Sequence, residues 1–477
     1  MKKKLYLIKS ITIQIVRVIK MMNIKVSNQL FIKNYSMELI DWCHKNLVLD
    51  NPEYHIAEKM GRWTGNIKKF LHLYEANGSS IVLPFGVIDE IWQRYINGKC
   101  EECVYDFAPL QPLKMSGSIN LYDYQIKAVG AMKSAKNGIL EAPCGSGKTQ
   151  MGIALIKELG QKALWVTHTT DLLKQSLARA KQYFADGDFG VITDGKVHIG
   201  ADITFATVQT LSNLDLTQYN NEWNVVVVDE CHRAAGTPTR VMQFYKAVSH
   251  LKARHKYGLS ATLDRADGLI KSVFALLGTI KHSIKEQEVG SKIIKANHSI
   301  IATTLPDSIE AYSDTDGTMI YNKLLNYISG NIERNELIAR NIDFRTGRHH
   351  LVLSHRVEHL RVLEILLSGL GIKSAVVCAT TPKAQRDFSL ELARKGELPV
   401  LLATYSLAKE GLDIPILDTL HLATPNKNKA IVIQSVGRVE RNFDGKKQPE
   451  ICDYVDFSVS YCVSMYKKRK NIIGKRN

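Results

Sequence analysis

The chain has 477 residues, with 63 Lys and Arg against 47 Asp and Glu, a formal net charge of +16. At roughly 150 residues per domain this is about three domains, and 45% hydrophobic with 23% charged residues excludes a disordered chain, a collagen-like fibre and a disulfide miniprotein. No charge-free apolar run of roughly 18 residues is present, so no transmembrane helix is expected, and the basic excess points to a polyanionic partner.

Met1 to Lys4 are basic and lead into an apolar stretch over Leu5–Ile15. Arg17 and Lys20 interrupt it, and no small-residue cleavage site follows, so a secretory signal is not the reading. Residues 1–22 read instead as a non-structural extension, either a misplaced start ahead of Met21 or Met22 or a frayed end. Residues 23–117 mix polar, aromatic and charged positions. Helices are expected over Met37–Lys45 and Val87–Ile96 and a strand over Ser80–Leu83, giving a small N-terminal α+β accessory domain. The eight cysteines sit mostly in apolar segments, which suits a reducing cytoplasm. Cys100 and Cys103 are the one close pair. With Cys43 and His44 they would approach a zinc set, and two ordinary thiols are the plainer reading.

From residue 118 to 284 short apolar runs alternate with helical patterns. Ile139–Glu141, Ala163–His168, Ile203–Thr207, Val225–Asp229 and Tyr257–Ser260 read as buried strands. Thr149–Leu159 and Asp171–Tyr183 read as helices. Residues 285–345 are more polar, partly helical over Leu324–Phe344, and read as a linker and insertion. The rhythm restarts over 346–477. Its strands are Leu351–Ser354, Ser374–Cys378, Val400–Ala403, Thr419–Ala423 and Ile451–Val455, and its helices Val357–Leu367, Pro382–Arg394 and Ala430–Gly437. The fold class is therefore α/β, with two tandem parallel-sheet domains.

Chemistry enters where the first of these strands ends, in Ala142-Pro143-Cys144-Gly145-Ser146-Gly147-Lys148-Thr149. A strand before and a helix after make this a phosphate-binding loop, with Ala in its first position. Gly145, Ser146 and Gly147 turn backbone N–H groups toward phosphate oxygens, and the helix N-terminus adds positive potential. Lys148 would reach the β- and γ-phosphates of ATP, and Thr149 would ligate Mg²⁺. The amide of Gln125, just before the strand, has the donor and acceptor needed to read an adenine edge. A solvent-facing glutamine is the alternative.

Val225–Val228 is a fully buried strand in prospect, and Asp229-Glu230-Cys231-His232 follows. Asp229 would hold Mg²⁺ through water, Glu230 would orient and deprotonate the attacking water, and His232 would contact the γ-phosphate or a linking motif. Ser260 and Thr262 follow the next strand and would couple phosphate sensing to the acidic box. In the second domain, Arg438 and Arg441 lie three apart on one face of a helix that also carries Gln434. Presented to a phosphate, they would stabilise transition-state charge. Gly411 and Asp413 precede them, Asp413 suited to a ribose or to Arg441. A basic tail, Tyr466–Lys470, would add salt-sensitive affinity for nucleic acid or be a solvated helix end. His349 and His350 read as domain-edge residues.

These motifs resemble the superfamily-two helicases, of the DEAD/DEAH-like branch and the UvsW, RecG and XPB type. They run in the expected order across roughly residues 118–460: LYDYQ, APCGSGKT, VTHTTDLLKQ, TVQTL, VDECH, GLSATLDR, LVLSHR, ATYSLAKEGLDIP and QSVGRVER. The resemblance implies two RecA-like domains with ATP between them and nucleic acid lying across both, DNA favoured over RNA. It implies backbone contacts from Thr167, Thr169, Thr207, Gln209 and Thr210 in the first domain. From the second it implies Ser354, His355, Arg356, Thr404 and Ser406, with Gln434 among the coupling residues. The acidic box is neither DEAD nor DEAH, and Leu263 stands where relatives often have Pro. Asn51–Tyr54 and Leu83–Gly86 look like the N-terminal module of helicases carried by phages and mobile elements. The implied activity is ATP-driven unwinding or fork remodelling, with protein partners in a replication, repair or defence complex. A restriction motor, an RNA helicase and a non-hydrolysing regulator are the competing readings.

Overall fold

The computed structural model describes residues 21–235, 245, 247–263, 268–290, 293–305, 312–313, 319–409 and 412–474. Apart from Met21 and Met22, the expected N-terminal extension lies outside them, as does Gly411. The chain divides into two compact units. The first runs to residue 121 and includes 126–141 and 151–282; the second comprises 122–125, 142–150 and 283–477.

The first unit contains the accessory module. Its strands are β1 (Met22–Val26), β2 (Gln29–Lys33), β3 (Val48–Asp50), β4 (Phe70–His72), β5 (Glu75–Asn77), β6 (Ser80–Pro84) and β7 (Cys100–Tyr105). Five of them form a sheet in the order β5-β6-β2-β1-β7, while β3 and β4 pair separately. Alternation explains the one-sided burial: Ile24 and Val26 of β1, and Leu30 and Ile32 of β2, face the core. Helix Met37–Asn46 starts at Ser36, whose side chain accepts from the Leu39 N–H. The helix expected over Val87–Ile96 is three shorter pieces: a 3₁₀ turn at Phe85–Val87, an α-turn at Ile88–Ile91 and a π-turn at Trp92–Ile96.

The larger sheet of this unit has β8 (Asn137–Glu141), β9 (Ala163–Thr167), β10 (Phe189–Thr193), β11 (Lys196–His198), β12 (Ile203–Thr207), β13 (Val225–Val228), β14 (His255–Ser260) and β15 (Ile280–Ser283). Their order is β11-β10-β12-β9-β13-β14-β8-β15. From β10 through β12, β9, β13 and β14 to β8, every neighbouring pair is parallel. Val225–Val228 lie at its centre and are wholly buried, which is why this strand reads as an unbroken apolar run. A single hydrophobic core joins this sheet to the accessory module.

The second unit holds an all-parallel sheet. Its strands are β16 (Asn297–Thr303), β17 (His350–Ser354), β18 (Ser374–Val377), β19 (Val400–Thr404), β20 (Thr419–Leu422) and β21 (Glu450–Asp456), in the order β16-β21-β20-β17-β19-β18. Residues 285–345 differ from the expected linker. They supply the edge strand β16 and the helices Tyr321–Gly330 and Ile332–Phe344. An edge strand with one partner is half exposed, so Asn297–Thr303 lacks the continuous apolar signature of its neighbours. Asn331 breaks the single helix expected here, capping the second piece through its side chain.

Candidate active site

Parallel strands that run the same way end on the same side, so their last residues form a row. In the first unit that row is Thr167, Thr207, Val228 and Ser260, at the carboxyl ends of β9, β12, β13 and β14. Ligands of open parallel sheets bind outside this edge. Asp229 comes immediately after the last valine. Its N–H donates to the Val166 carbonyl at 2.9 Å, so the neighbouring strand fixes where the carboxylate starts. Its Oδ1 in turn accepts from the Glu230 N–H at 2.9 Å.

Glu230 has φ +48°, the left-handed region that a β-carbon disfavours. Such strain persists only where surrounding contacts hold it, and it clusters at functional sites. The contacts here are a short chain of side chains. His232 Nδ1 lies 3.2 Å from Glu230 Oε2 and 2.9 Å from Ser260 Oγ. Ser260 Oγ donates to the Thr262 carbonyl at 2.8 Å and accepts from the Thr262 N–H at 3.2 Å. With the serine proton so committed, Nδ1 of His232 is the donor. The acidic box and Ser260–Thr262 are thus one hydrogen-bonded unit, buried at His232 and Ser260.

The phosphate loop connects β8 to helix Lys148–Leu159. Gly145 and Gly147 both have φ +83°. Lys148 Nζ curls over the loop, donating to the carbonyls of Ala142 at 3.1 Å and Pro143 at 3.3 Å. Ser146 Oγ donates to the Pro143 carbonyl at 2.7 Å, pinning the turn. Gln125 is buried and uses both ends of its amide inside the chain. Its Nε2 donates to the Ser146 carbonyl at 2.9 Å, and its Oε1 accepts from the Tyr122 N–H at 3.0 Å. A β-carbon at Gly147 would lie 2.4 Å from that Nε2, so the glycine admits the amide. Gln125 here holds the loop rather than presenting a free edge to a base.

Within the second unit, helix Lys429–Val439 approaches the same loop. A β-carbon at Gly437 would stand 2.6 Å from Cys144 Cβ, so only glycine permits this closeness. Arg441 follows the helix and pairs with Asp413, the pairing expected as one of two roles for that aspartate. Arg438 Nε donates to the Ala408 carbonyl at 3.3 Å. Gln434 is buried, and its Oε1 has no hydrogen-bond partner.

The expected nucleic-acid residues separate into two groups. Thr169, Thr207, Gln209 and Thr210 line one cavity of about 640 Å³ with His168 and Asn213. Thr167 and Ser354, contrary to expectation, do not reach a surface. Thr167 is fully buried, its hydroxyl bonded to the Thr169 and Ala206 carbonyls at 3.2 and 3.4 Å. Ser354 is fully buried between His359 Nδ1 at 3.0 Å and the Arg356 N–H at 3.1 Å. His355 bonds Thr424 Oγ1 at 3.0 Å, and burial, with Arg356 beside it, holds its pKa down at about 4. It would therefore meet a phosphate as a neutral group. Arg356 Nη2 reaches Asn322 Oδ1 at 3.1 Å. Thr404 and Ser406 bond each other at 3.0 Å, with Ser406 exposed.

Sequence reasoning missed the hairpin of β10 and β11, whose tip, Asp194–Gly195, lines the same cavity. Asp194 has φ +52° and Gly195 +75°, and Asp-Gly between apolar runs was the available signal. Arg469, expected in a basic tail that either binds nucleic acid or is a solvated helix end, is buried instead and forms a two-pronged pair with Asp453 at 2.6 and 3.0 Å. Among the described residues no group of three or more His, Cys, Asp or Glu is placed to hold a metal ion. Cys100 and Cys103 lie on β7 without such a set.

Two family models match this geometry in sequence. Residues 118–265 match the type III restriction enzyme res subunit family, and residues 333–443 match the helicase conserved C-terminal domain. The chain is a superfamily-two helicase. It is an ATP-hydrolysing enzyme that acts on nucleic acid. The chain is 26% identical over 420 residues to a putative ATP-dependent RNA helicase, L396, of Acanthamoeba polyphaga mimivirus, covering 85% of this chain and 76% of that one. It is 26% identical over 382 residues to the DNA 3'-5' translocase XPB2 of Sulfurisphaera tokodaii, covering 72% and 83%. Its fold is similar to that of S. cerevisiae Dbp5 bound to RNA and ADP BeF3, with a TM-score of 0.56, 15% identity, and coverage of 82% and 92%. Among the described residues no helix of this helicase is long and apolar enough to cross a membrane.

Proposed function

We propose that this helicase is a DNA motor that unwinds or remodels branched and forked structures. The observation that carries the reading is the cavity along the carboxyl edge of the first large sheet. Thr169, Thr207, Gln209 and Thr210 line it, Gln209 exposed and Thr207 and Thr210 buried with their hydroxyls bonded to each other at 3.0 Å. Hydroxyl and amide donors hold a phosphate backbone without reading sequence, as a motor that travels along a strand requires. Relatives named as DNA helicases and translocases support DNA over RNA, and the net charge of +16 suits a nucleic-acid partner of either kind.

In this reading Lys148 binds the β- and γ-phosphates, and Glu230 accepts the proton of the attacking water. Its strained backbone and the His232 contact hold that carboxylate in place. Thr149 and Asp229 offer hard oxygen donors of the kind Mg²⁺ takes, and they would hold the ion. When bound, Mg²⁺ neutralises charge on the phosphates. Ser260, through His232 and Thr262, ties the state of the acidic box to the neighbouring strand. Arg441, oriented by Asp413, and Arg438 supply positive charge to the transferred phosphoryl group. A second reading, a motor serving a separate nuclease partner, is favoured by the restriction-family match over residues 118–265.

Steady-state ATPase rates against single-stranded DNA, duplex DNA, forked or four-way DNA and single-stranded RNA test this. Strongest stimulation by branched DNA is expected. Equal stimulation by plain duplex favours the partner motor, and stimulation by RNA alone overturns the DNA reading.

A further inference from the structure

A second cavity, of about 950 Å³, lies between the accessory module and the β8–β14–β15 side of the first large sheet. It shares no residue with the phosphate loop, the acidic box or the backbone track. Its walls belong to one unit and are tied together. Lys256 Nζ donates to the Asn28 carbonyl at 3.1 Å, Asn28 Nδ2 donates to the Ser249 carbonyl at 2.9 Å, and Lys281 pairs with Asp89 at 2.8 Å.

Three features of the lining converge. Asn137, at the start of β8, is 1% exposed, and neither its Oδ1 nor its Nδ2 has a hydrogen-bond partner. Buried amides are almost always satisfied, and one left with both a donor and an acceptor unmade calls for an explanation. Aromatic rings form the second feature. Phe107 packs edge-on to Phe85 at 6.4 Å and tilted against Tyr105 at 6.2 Å, and the Arg254 guanidinium sits 5.4 Å over its ring. Arg254 Nε is itself buried without a partner. Charge is the third. The two lining acids are engaged, Asp89 by Lys281 and Glu90 by Arg94 at 3.1 Å. Lys136, Lys271 and Arg254 remain as an excess of positive charge in the lining.

We propose that this cavity binds one nucleotide unit. The aromatic walls and the Arg254 plane take the base, Asn137 pairs its donor and acceptor with the base edge, and the lysines take the phosphate. Stacking on aromatic side chains is the general means of holding an unpaired base, and a side-chain amide presents the matching pair of hydrogen bonds. The nucleotide unit is either an unpaired residue of a bound strand or a free mononucleotide.

The test uses the full chain with its ATP site saturated by a non-hydrolysable ATP analogue. One arm measures fluorescence of a forked DNA carrying a single unpaired 2-aminopurine. The other measures binding of free 2-aminopurine ribonucleoside monophosphate. Variants Asn137→Leu and Arg254→Ala are compared with the parent chain, with thermal unfolding recorded for each. Quenching in the forked DNA, weakened about tenfold in affinity by either substitution, supports a strand residue as the ligand. Binding of the free nucleotide alone, with the same sensitivity, supports the site with a free nucleotide as its ligand. Asn137→Leu removes two unsatisfied buried atoms, so its unfolding midpoint should hold or rise while binding falls. Affinities unchanged by both substitutions overturn the proposal, as does loss of binding only in step with a lower unfolding midpoint.

Discussion

In the first large sheet the central strand is Val225–Val228, and its carboxylates, Asp229 and Glu230, come only after the last valine. In the second unit's sheet, charged and ionisable groups sit within the strands or at their last residue. Asp453 and Asp456 of β21 and His350 and His421 of β17 and β20 are all essentially buried. They have partners: Asp456 has Arg334 at 2.9 Å on Oδ1, Asp453 has Arg469 and His298, and His421 has His350 and Tyr454 at 3.0 Å each. Burial works to raise the pKa of Asp453, but the His298 hydrogen bond and the Arg469 charge outweigh it and leave it lowered. One sheet therefore keeps its carboxylates at an edge, where a substrate can use them. The other places charge where only its own cations can reach it, and there charge serves structure.

Removing the edge carboxylate should have the largest effect on activity. Glu230→Gln is expected to lower the ATPase rate by about 100-fold or more, the contribution of a positioned general base, with nucleic-acid affinity retained. Turnover within a few-fold of the parent would show that the strained position does not carry the chemistry. The second sheet is tested through Arg469. Arg469→Met leaves Asp453 buried and short of its main partner, which typically costs about 3–5 kcal/mol and should lower the unfolding midpoint by about 10 °C. Adding Asp453→Leu should recover much of the loss. A basic-tail role would instead show as weaker, salt-sensitive DNA binding at unchanged stability.

Those two residues also show how much was legible in advance. A valine run ending in Asp-Glu, and Gly-Lys-Thr between a strand and a helix, name their own chemistry because the backbone geometry forces it. Arg469 sits in the run Lys467-Lys468-Arg469-Lys470, which reads as a solvated cluster; only the helix register turns that one side chain inward. Thr167 and Ser354 fail in the same way, since motif order gives nearness to the edge but not which hydroxyl is already spent. The accessory sheet was mostly unreadable because its strands are short and its neighbours β1 and β7 pair from opposite ends of the module.

Arg441 joins the two kinds of charge, being ion-paired to Asp413 yet half exposed. Arg441→Ala should reduce the maximal ATPase rate by about tenfold or more with little change in ATP affinity, as for a group that acts on transition-state charge. A weaker KM at an unchanged rate would make it a binding residue, and its pairing with Asp413 structural.

A pH-dependent effect probes the exception in the first sheet, Lys256 of β14. It is fully buried against the carbonyls of Asn28 and Val248, with its ammonium 5.0 Å over the Phe85 ring. Burial brings its pKa down from 10.5 to about 7. Between those values the unfolded chain holds a proton that the folded chain does not, so unfolding takes up a proton. Stability therefore rises with pH across that window, by at most about 1.4 kcal/mol per pH unit, and the contribution is lost as pH falls toward 7. Lys256→Met should flatten this part of the stability profile, measured by denaturant unfolding between pH 7 and 10. An identical slope in parent and variant would mean that the amine stays protonated in the fold, held by its two carbonyls and the Phe85 ring. The first unit would then contain, at the junction of module and sheet, the same kind of partnered buried charge that marks the second.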